Sequence, residues 1–231
     1  MEKEISVAWM YPDILNLHGD RGNIMAFERI GEELGIKVNV HRINNYEEEI
    51  DIENMDIMFL SPCELKAVPK VVEALSKYKN KLEDKTVIAI GTSGAILANK
   101  TLRRDETIVE GLGLLDMDCK EKEWVFGDDI YFEIGNKEII GCQIQMIDIE
   151  LGDVEPLGKT KYGRGNNGTG FEGARHNNII FTNAIGPVFV KNPWWTEEII
   201  RDIIGEIDVE PEYKLERASF ETTKKFIRGK V

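Results

Sequence analysis

The sequence predicts an α/β protein on a mixed, mostly parallel sheet with helices on both faces. Two observations carry this. Strand-like and helix-like patterns alternate through the first half of the chain, and parallel strands need such crossover connections. Runs such as Val87-Ile88-Ala89-Ile90 are apolar throughout, as in a strand covered on both sides.

The elements follow in order. Ile5 to Met10 is an apolar run that stops at Tyr11-Pro12-Asp13, a strand and then a turn. Ile24, Phe27, Ile30 and Leu34 recur at spacings of three and four, which predicts a helix. Asn23 is its expected N-cap and Gly35 its terminator. Ile36 to Ile43 alternates as a second strand, and Met55 to Leu60 is a third, closed by Ser61-Pro62. A helix over Val68 to Tyr78 and a buried strand over Thr86 to Ile90 complete this half. Past Thr101 the chain turns glycine-rich, with strand-like stretches at 110–115, 129–134 and 138–149 and a glycine-rich loop over 163–173. Ile179-Ile180-Phe181 reads as a buried strand. A helix over Trp195 to Ile207 is expected to be capped by Thr196, and Leu215 to Arg228 is a last helix. No repeat or linker interrupts the pattern, so residues 1–231 read as a single domain.

Composition narrows the function. The 231 residues carry 29 Lys+Arg and 42 Asp+Glu, a net charge of −13 that repels nucleic-acid phosphates and anionic membranes. Three cysteines with no CxxC pair give neither a disulfide framework nor a zinc site, so no metal or cofactor is expected. The N-terminus lacks a signal-peptide pattern and apolar runs are too short to cross a bilayer, so a cytoplasmic location without membrane insertion is expected.

Ligands in open α/β sheets bind beyond the carboxyl ends of the strands, and three such ends carry polar chemistry. The first holds Asp20, Arg21 and Asn23 between a strand and a helix. The second is Ile90-Gly91-Thr92-Ser93-Gly94-Ala95, a strand-to-helix turn close to a nucleophile elbow. A serine there needs a histidine base, and His18, His41 and His176 stand in no recognisable context for that role. The third holds Asn166, Asn167 and Glu172 among glycines, without the lysine and hydroxyl of a phosphate-binding loop. These six polar residues could converge on a small ligand.

Tyr11-Pro12-Asp13-Ile14-Leu15-Asn16-Leu17-His18-Gly19-Asp20-Arg21-Gly22-Asn23 resembles the N-terminal signature of the glutaminase subunits of lipid II isoglutaminyl synthase. These form a branch of the CobB/CobQ-like class I glutamine amidotransferases. The likeness continues, in order, through Val87 to Ile90, Glu110 to Asp116, Gly163-x-Gly165-Asn166-Asn167, Glu172-Gly173 and Gly186-Pro187. The resemblance implies a flavodoxin-like three-layer fold that hydrolyses glutamine and passes ammonia to a Mur-ligase-like partner, which amidates peptidoglycan stem peptides. It also implies a cysteine at the elbow, a histidine before the late Gly-Pro, and oxyanion amides from a glycine-rich turn after the third strand.

The sequence departs from that pattern at each of these points. Gly91 occupies the cysteine's position and Ile185 the histidine's. Ser61-Pro62-Cys63 replaces the glycine turn, and Pro62 has no N–H to donate. Gln143 to Ile147 replaces an Asn-His-Gly-Gly segment, and Trp124 stands where an arginine is expected. The expectation is a degenerate amidotransferase-like protein, a structural or regulatory subunit for a Mur-ligase-like partner. Two alternatives stay open. One is an active amidotransferase or hydrolase using Ser93 or Cys63, with His18 or His176 as base; the other is a small-ligand binding module.

Overall fold

A computed structural model describes residues 3–230. The first half alternates as the sequence predicts: β1 (Glu4–Met10), α1 (Arg21–Leu34), β2 (Lys37–Ile43), β3 (Ile57–Leu60), α2 (Val68–Ser76), α3 (Lys79–Leu82), β4 (Thr86–Ile90) and α4 (Gly94–Leu97). Short strands β5 (Lys100–Leu102) and β6 (Ile108–Glu110) lead into a long hairpin of β7 (Met117–Ile134) and β8 (Lys137–Leu151). Then come β9 (Gly158–Tyr162), β10 (Phe171–Glu172), β11 (Ala174–His176) and β12 (Ile179–Thr182). Three helices close the chain: α5 (Val188–Lys191), α6 (Pro193–Ile204) and α7 (Lys214–Arg228).

One sheet has the order β11-β12-β4-β3-β1-β2, with five neighbouring strands parallel and β11 antiparallel at one edge. The second carries the hairpin, in the order β10-β9-β7-β5-β6 with β8 also on β7. A backbone pair of hydrogen bonds between Cys142 and Ile185 joins β8 to the segment after β12.

Alternation along the parallel strands builds three layers. Val7, Trp9, Ile57, Phe59, Ile88, Ile90 and Ile180 face Ile24, Phe27 and Ile30 of α1 and Trp195 of α6. Ala8, Met10, Met58, Leu60, Val87, Ala89 and Phe181 face Val68, Val71 and Leu75 of α2 and the whole of α4. Phe27, Phe59, Phe189 and Trp195 form a chain of tilted and edge-on ring contacts, with centroids 4.8–6.2 Å apart.

Three boundaries differ from expectation. Helix α1 begins at Arg21 with Asp20 at the capping position, because the Asn23 side chain is engaged elsewhere, on Asp20 and Phe189. Helix α6 begins at Pro193, whose fixed φ suits a first turn, so Thr196 lies inside the helix and donates to the Phe189 carbonyl at 3.2 Å. The stretch after Glu110 is a loop: a Cβ on Gly111 would lie 2.0 Å from the Ala98 carbonyl oxygen, and Gly113 has φ +60°.

Candidate functional site

Strand order 2-1-3-4-12 places the topological switch between β1 and β3, and the segments leaving β1, β3 and β4 meet beyond those strand ends. They are fastened by hydrogen bonds. Leu17 N–H donates to the Pro62 carbonyl at 3.0 Å. The Thr92 hydroxyl accepts from Cys63 N–H at 3.0 Å and donates to the Cys63 carbonyl. Ser93 Oγ donates to the Ser61 carbonyl.

At the centre of this cluster the chain turns sharply. Gly91 has φ +59°, in the left-handed region, between an extended Ile90 and the short helix α4. A Cβ built on Gly91 would lie 3.4 Å from Ile185 Cγ2 and 3.5 Å from Cβ and Cγ of Pro62. The three positions singled out in the sequence therefore converge on one point. Glycine offers no side chain there, isoleucine no proton and proline no amide hydrogen. Gly91, Pro62 and Ile185 are all buried. The neighbouring Gly94 shows the opposite kind of fit: a Cβ on it would fall 2.3 Å from the Phe181 ring, so glycine is required for helix α4 to approach the sheet.

Neither substitute nucleophile is poised. Ser93 is fully buried, and its hydroxyl meets the Ser61 carbonyl and, at 3.6 Å, Cys63 Sγ; among the described residues no histidine bonds to it. The Cys63 thiol is fully buried, and burial pushes it up to about 11. His18, His41 and His176 are exposed, and His176 Nε2 meets Asn177 Nδ2 at 3.4 Å.

The six candidate binding residues do not form one group. Asp20 and Asn23 are buried together at the start of α1, where Asn23 Nδ2 donates to Asp20 Oδ1 at 2.5 Å and Asn23 Oδ1 accepts from Phe189 N–H at 2.9 Å. Arg21, beside them in sequence, is exposed, since one helical step turns its side chain outward. Asn166 and Glu172 belong to a second network. Glu172 is fully buried and accepts from Thr182 Oγ1 at 2.7 Å, Asn183 N–H at 2.6 Å and Asn183 Nδ2 at 3.0 Å. Burial raises the Glu172 carboxyl above its ordinary range, against the pull of these bonds. Asn166 exchanges a pair of 2.8 Å bonds with the Gly173 backbone and accepts from Asn183 Nδ2 at 3.0 Å. Asn167 only closes a local turn, accepting from Thr169.

Composition alone gave no sign of the residues that tether this second network. Gln143 Oε1 accepts from the N–H groups of Arg164 and Gly165, and Gln143 Nε2 donates to the Gly165 carbonyl at 3.1 Å. Gln145 Nε2 donates to the Asn166 carbonyl at 2.8 Å. The sequence signal is the period of two: Gln143 and Gln145 fall in step with Ile147 and Ile149, so they share the face that is buried and must find partners there. Trp124 stands 69% exposed on a bulge where residues 122–125 of β7 oppose only Met146 of β8. Among the described residues no group of His, Cys, Asp or Glu is arranged to hold a metal ion, and no helix is long and apolar enough to cross a membrane.

No protein-family model matches the chain. It is 31% identical over 198 residues to the GatD subunit of the glutamine-hydrolyzing lipid II isoglutaminyl synthase of Staphylococcus aureus (strain N315), covering 82% of this chain and 80% of that protein. The same subunit of Streptococcus pneumoniae (strain ATCC BAA-255 / R6) is 24% identical over 199 residues, covering 82% and 76%. A crystal structure of a glutamine amidotransferase superposes with a TM-score of 0.56 at 15% identity, over 87% of this chain and all of that one, which shows a shared fold. The sequence identity over most of both chains, joined to that fold, shows that the protein belongs to the glutamine amidotransferase family of the GatD subunits of lipid II isoglutaminyl synthase.

Proposed function

We propose that this chain is a non-hydrolysing member of its family, a structural or regulatory subunit that docks on a Mur-ligase-like partner acting on peptidoglycan precursors. One observation carries the reading: at the point that Gly91, Ile185 and Pro62 share, glycine brings no nucleophile, isoleucine no base and proline no N–H for an oxyanion. Loss of a nucleophile alone leaves residual rate from binding and oxyanion stabilisation, whereas loss of all three leaves little. Apolar atoms of Ile185 and Pro62 border the position at ordinary contact distance, where the family's reactive groups would stand. The retained framework supports a remaining role as a partner subunit, because the elbow keeps its left-handed φ and the strand-end segments stay fastened together.

Ammonia and glutamate release from glutamine tests this, with the chain alone and with any partner that purifies with it from its native host. The expected rate equals that of a heat-denatured control, and a Mur-ligase-sized protein accompanies the chain. Turnover that disappears in Ser93→Ala or Cys63→Ala would replace this reading with an enzyme using a different nucleophile.

A further inference from the structure

Two nucleophilic side chains meet beside the Gly186-Pro187 turn. Lys191 Nζ of α5 donates to Cys142 Sγ of β8 at 3.2 Å, and that thiol is the only side-chain partner of Lys191 among the described residues. The surrounding backbone holds both ends of the pair. Cys142 N–H donates to the Ile185 carbonyl at 3.2 Å, and Ile185 N–H donates to the Cys142 carbonyl at 2.8 Å. The Asn192 side chain, next to Lys191, donates to the Ile140 carbonyl at 2.8 Å and accepts from Ile140 N–H at 3.0 Å. Between these two clamps Gly186 has φ +79°. A Cβ on Gly186 would fall 3.2 Å from Cys142 Sγ and 3.9 Å from Lys191 Nζ, so the bare glycine leaves the thiol and the amine the space in which they meet.

The other two thiols are placed differently. Cys63 and Cys119 are buried, and burial pushes them up to about 11 and about 12. Cys142 is half-buried and faces a cation, the setting in which cysteines react. We propose that Cys142 and Lys191 form an oxidative lock: hydrogen peroxide converts the thiol to a sulfenic acid, and Lys191 Nζ condenses with it to a sulfenamide that joins β8 to α5. In the first step the sulfur loses two electrons and takes one peroxide oxygen, and the other oxygen leaves as water. In the second, Nζ gives its ammonium proton to water and attacks sulfur with the freed electron pair. The S–N bond forms, the S–O bond breaks, and the hydroxyl leaves as water with a proton from nitrogen. A thiol reductant reverses the lock by attacking sulfur, which restores Cys142 and Lys191 while the reductant becomes a disulfide. The clamps hold the two groups at contact, which favours condensation over further oxidation of the sulfur. The lock spans 49 residues of sequence and encloses the Ile185-Pro187 segment that borders the elbow. It works whether or not glutamine is hydrolysed.

The test treats the full chain with hydrogen peroxide and maps its peptides without reductant. The peptides of Cys142 and Lys191 should appear joined, two hydrogens lighter than their sum, and should separate on adding a thiol reductant. In Lys191→Arg the guanidinium keeps the charge but is too weak a nucleophile to condense, so the joined product should vanish. A chain unfolded in urea before the peroxide is added should not give it either, because the clamps are gone. The joined chain should unfold at a higher temperature than the reduced one, since the link constrains the unfolded state. Cys142 recovered unjoined, whether untouched or carried on to the sulfinic acid, would overturn the lock. So would an equal yield of joined peptides from the unfolded chain, or an unchanged unfolding temperature after joining. If Lys191→Arg fails to fold, the comparison of folded and unfolded chain decides alone.

Discussion

The point where Gly91, Pro62 and Ile185 meet and the network around Glu172 lie on either side of the Ala184–Ile185 segment, and they have opposite chemistry. The first is apolar and holds a left-handed glycine turn that bears no side chain. The second is polar, fully buried and closely bonded, with Glu172, Asn166, Thr182 and Asn183 each holding partners. Ile185 is fixed from both directions, by Cys142 on β8 and by the Glu172 network two residues upstream. The contrast is between a buried network whose polar groups are closely paired and a glycine turn that faces the apolar side chains of Pro62 and Ile185.

Substitutions on the two sides should differ accordingly. Glu172→Ala strands the buried donors of Thr182 and Asn183 and opens a cavity, so a loss of about 3–5 kcal/mol is expected in chemical denaturation. A loss below about 1 kcal/mol would show that the network does not hold the segment. Gly94→Ala drives a methyl into the Phe181 ring, for an expected cost of about 1–3 kcal/mol. Gly91→Ala sits at the low end of that range or below. Its methyl meets Ile185 and Pro62 at ordinary contact distance, leaving mainly the left-handed strain of about 1 kcal/mol. If Gly91→Ala proved more damaging than Gly94→Ala, the space at the elbow would be smaller than these contacts imply. Gly91→Cys places a thiol at the turn but supplies no base, and ammonia release is expected to stay at background; recovery of turnover would show that Ile185 does not limit the chemistry.

Much of this was legible in the sequence, for identifiable reasons. The three-layer half follows from period: Val7 and Trp9 go to one face and Ala8 and Met10 to the other, as strand alternation requires. Helix starts were less legible where side chains had tertiary partners. Asn23 reads as a cap, but its amide bridges Asp20 and the Phe189 backbone 166 residues away. Asp20 and Glu172 hold separate sets of hydrogen-bond partners for a related reason. Residue type marks both as buried or functional acids, but only the crossing of β8 past the 163–173 loop assigns Glu172 to a network of its own. The strand-to-helix elbow was legible in the local pattern Ile90-Gly91-Thr92-Ser93-Gly94, but that pattern does not reveal that Pro62 and Ile185 face it; only the resemblance to known amidotransferases singled those two out.

The most direct test is intact-mass analysis of the chain, with its partner present, after incubation with a diazoketone analogue of glutamine. Such a reagent alkylates a thiol activated within a glutamine site. The account predicts an unmodified mass. A stoichiometric adduct on Ser93 or Cys63 that glutamine protects against would contradict it.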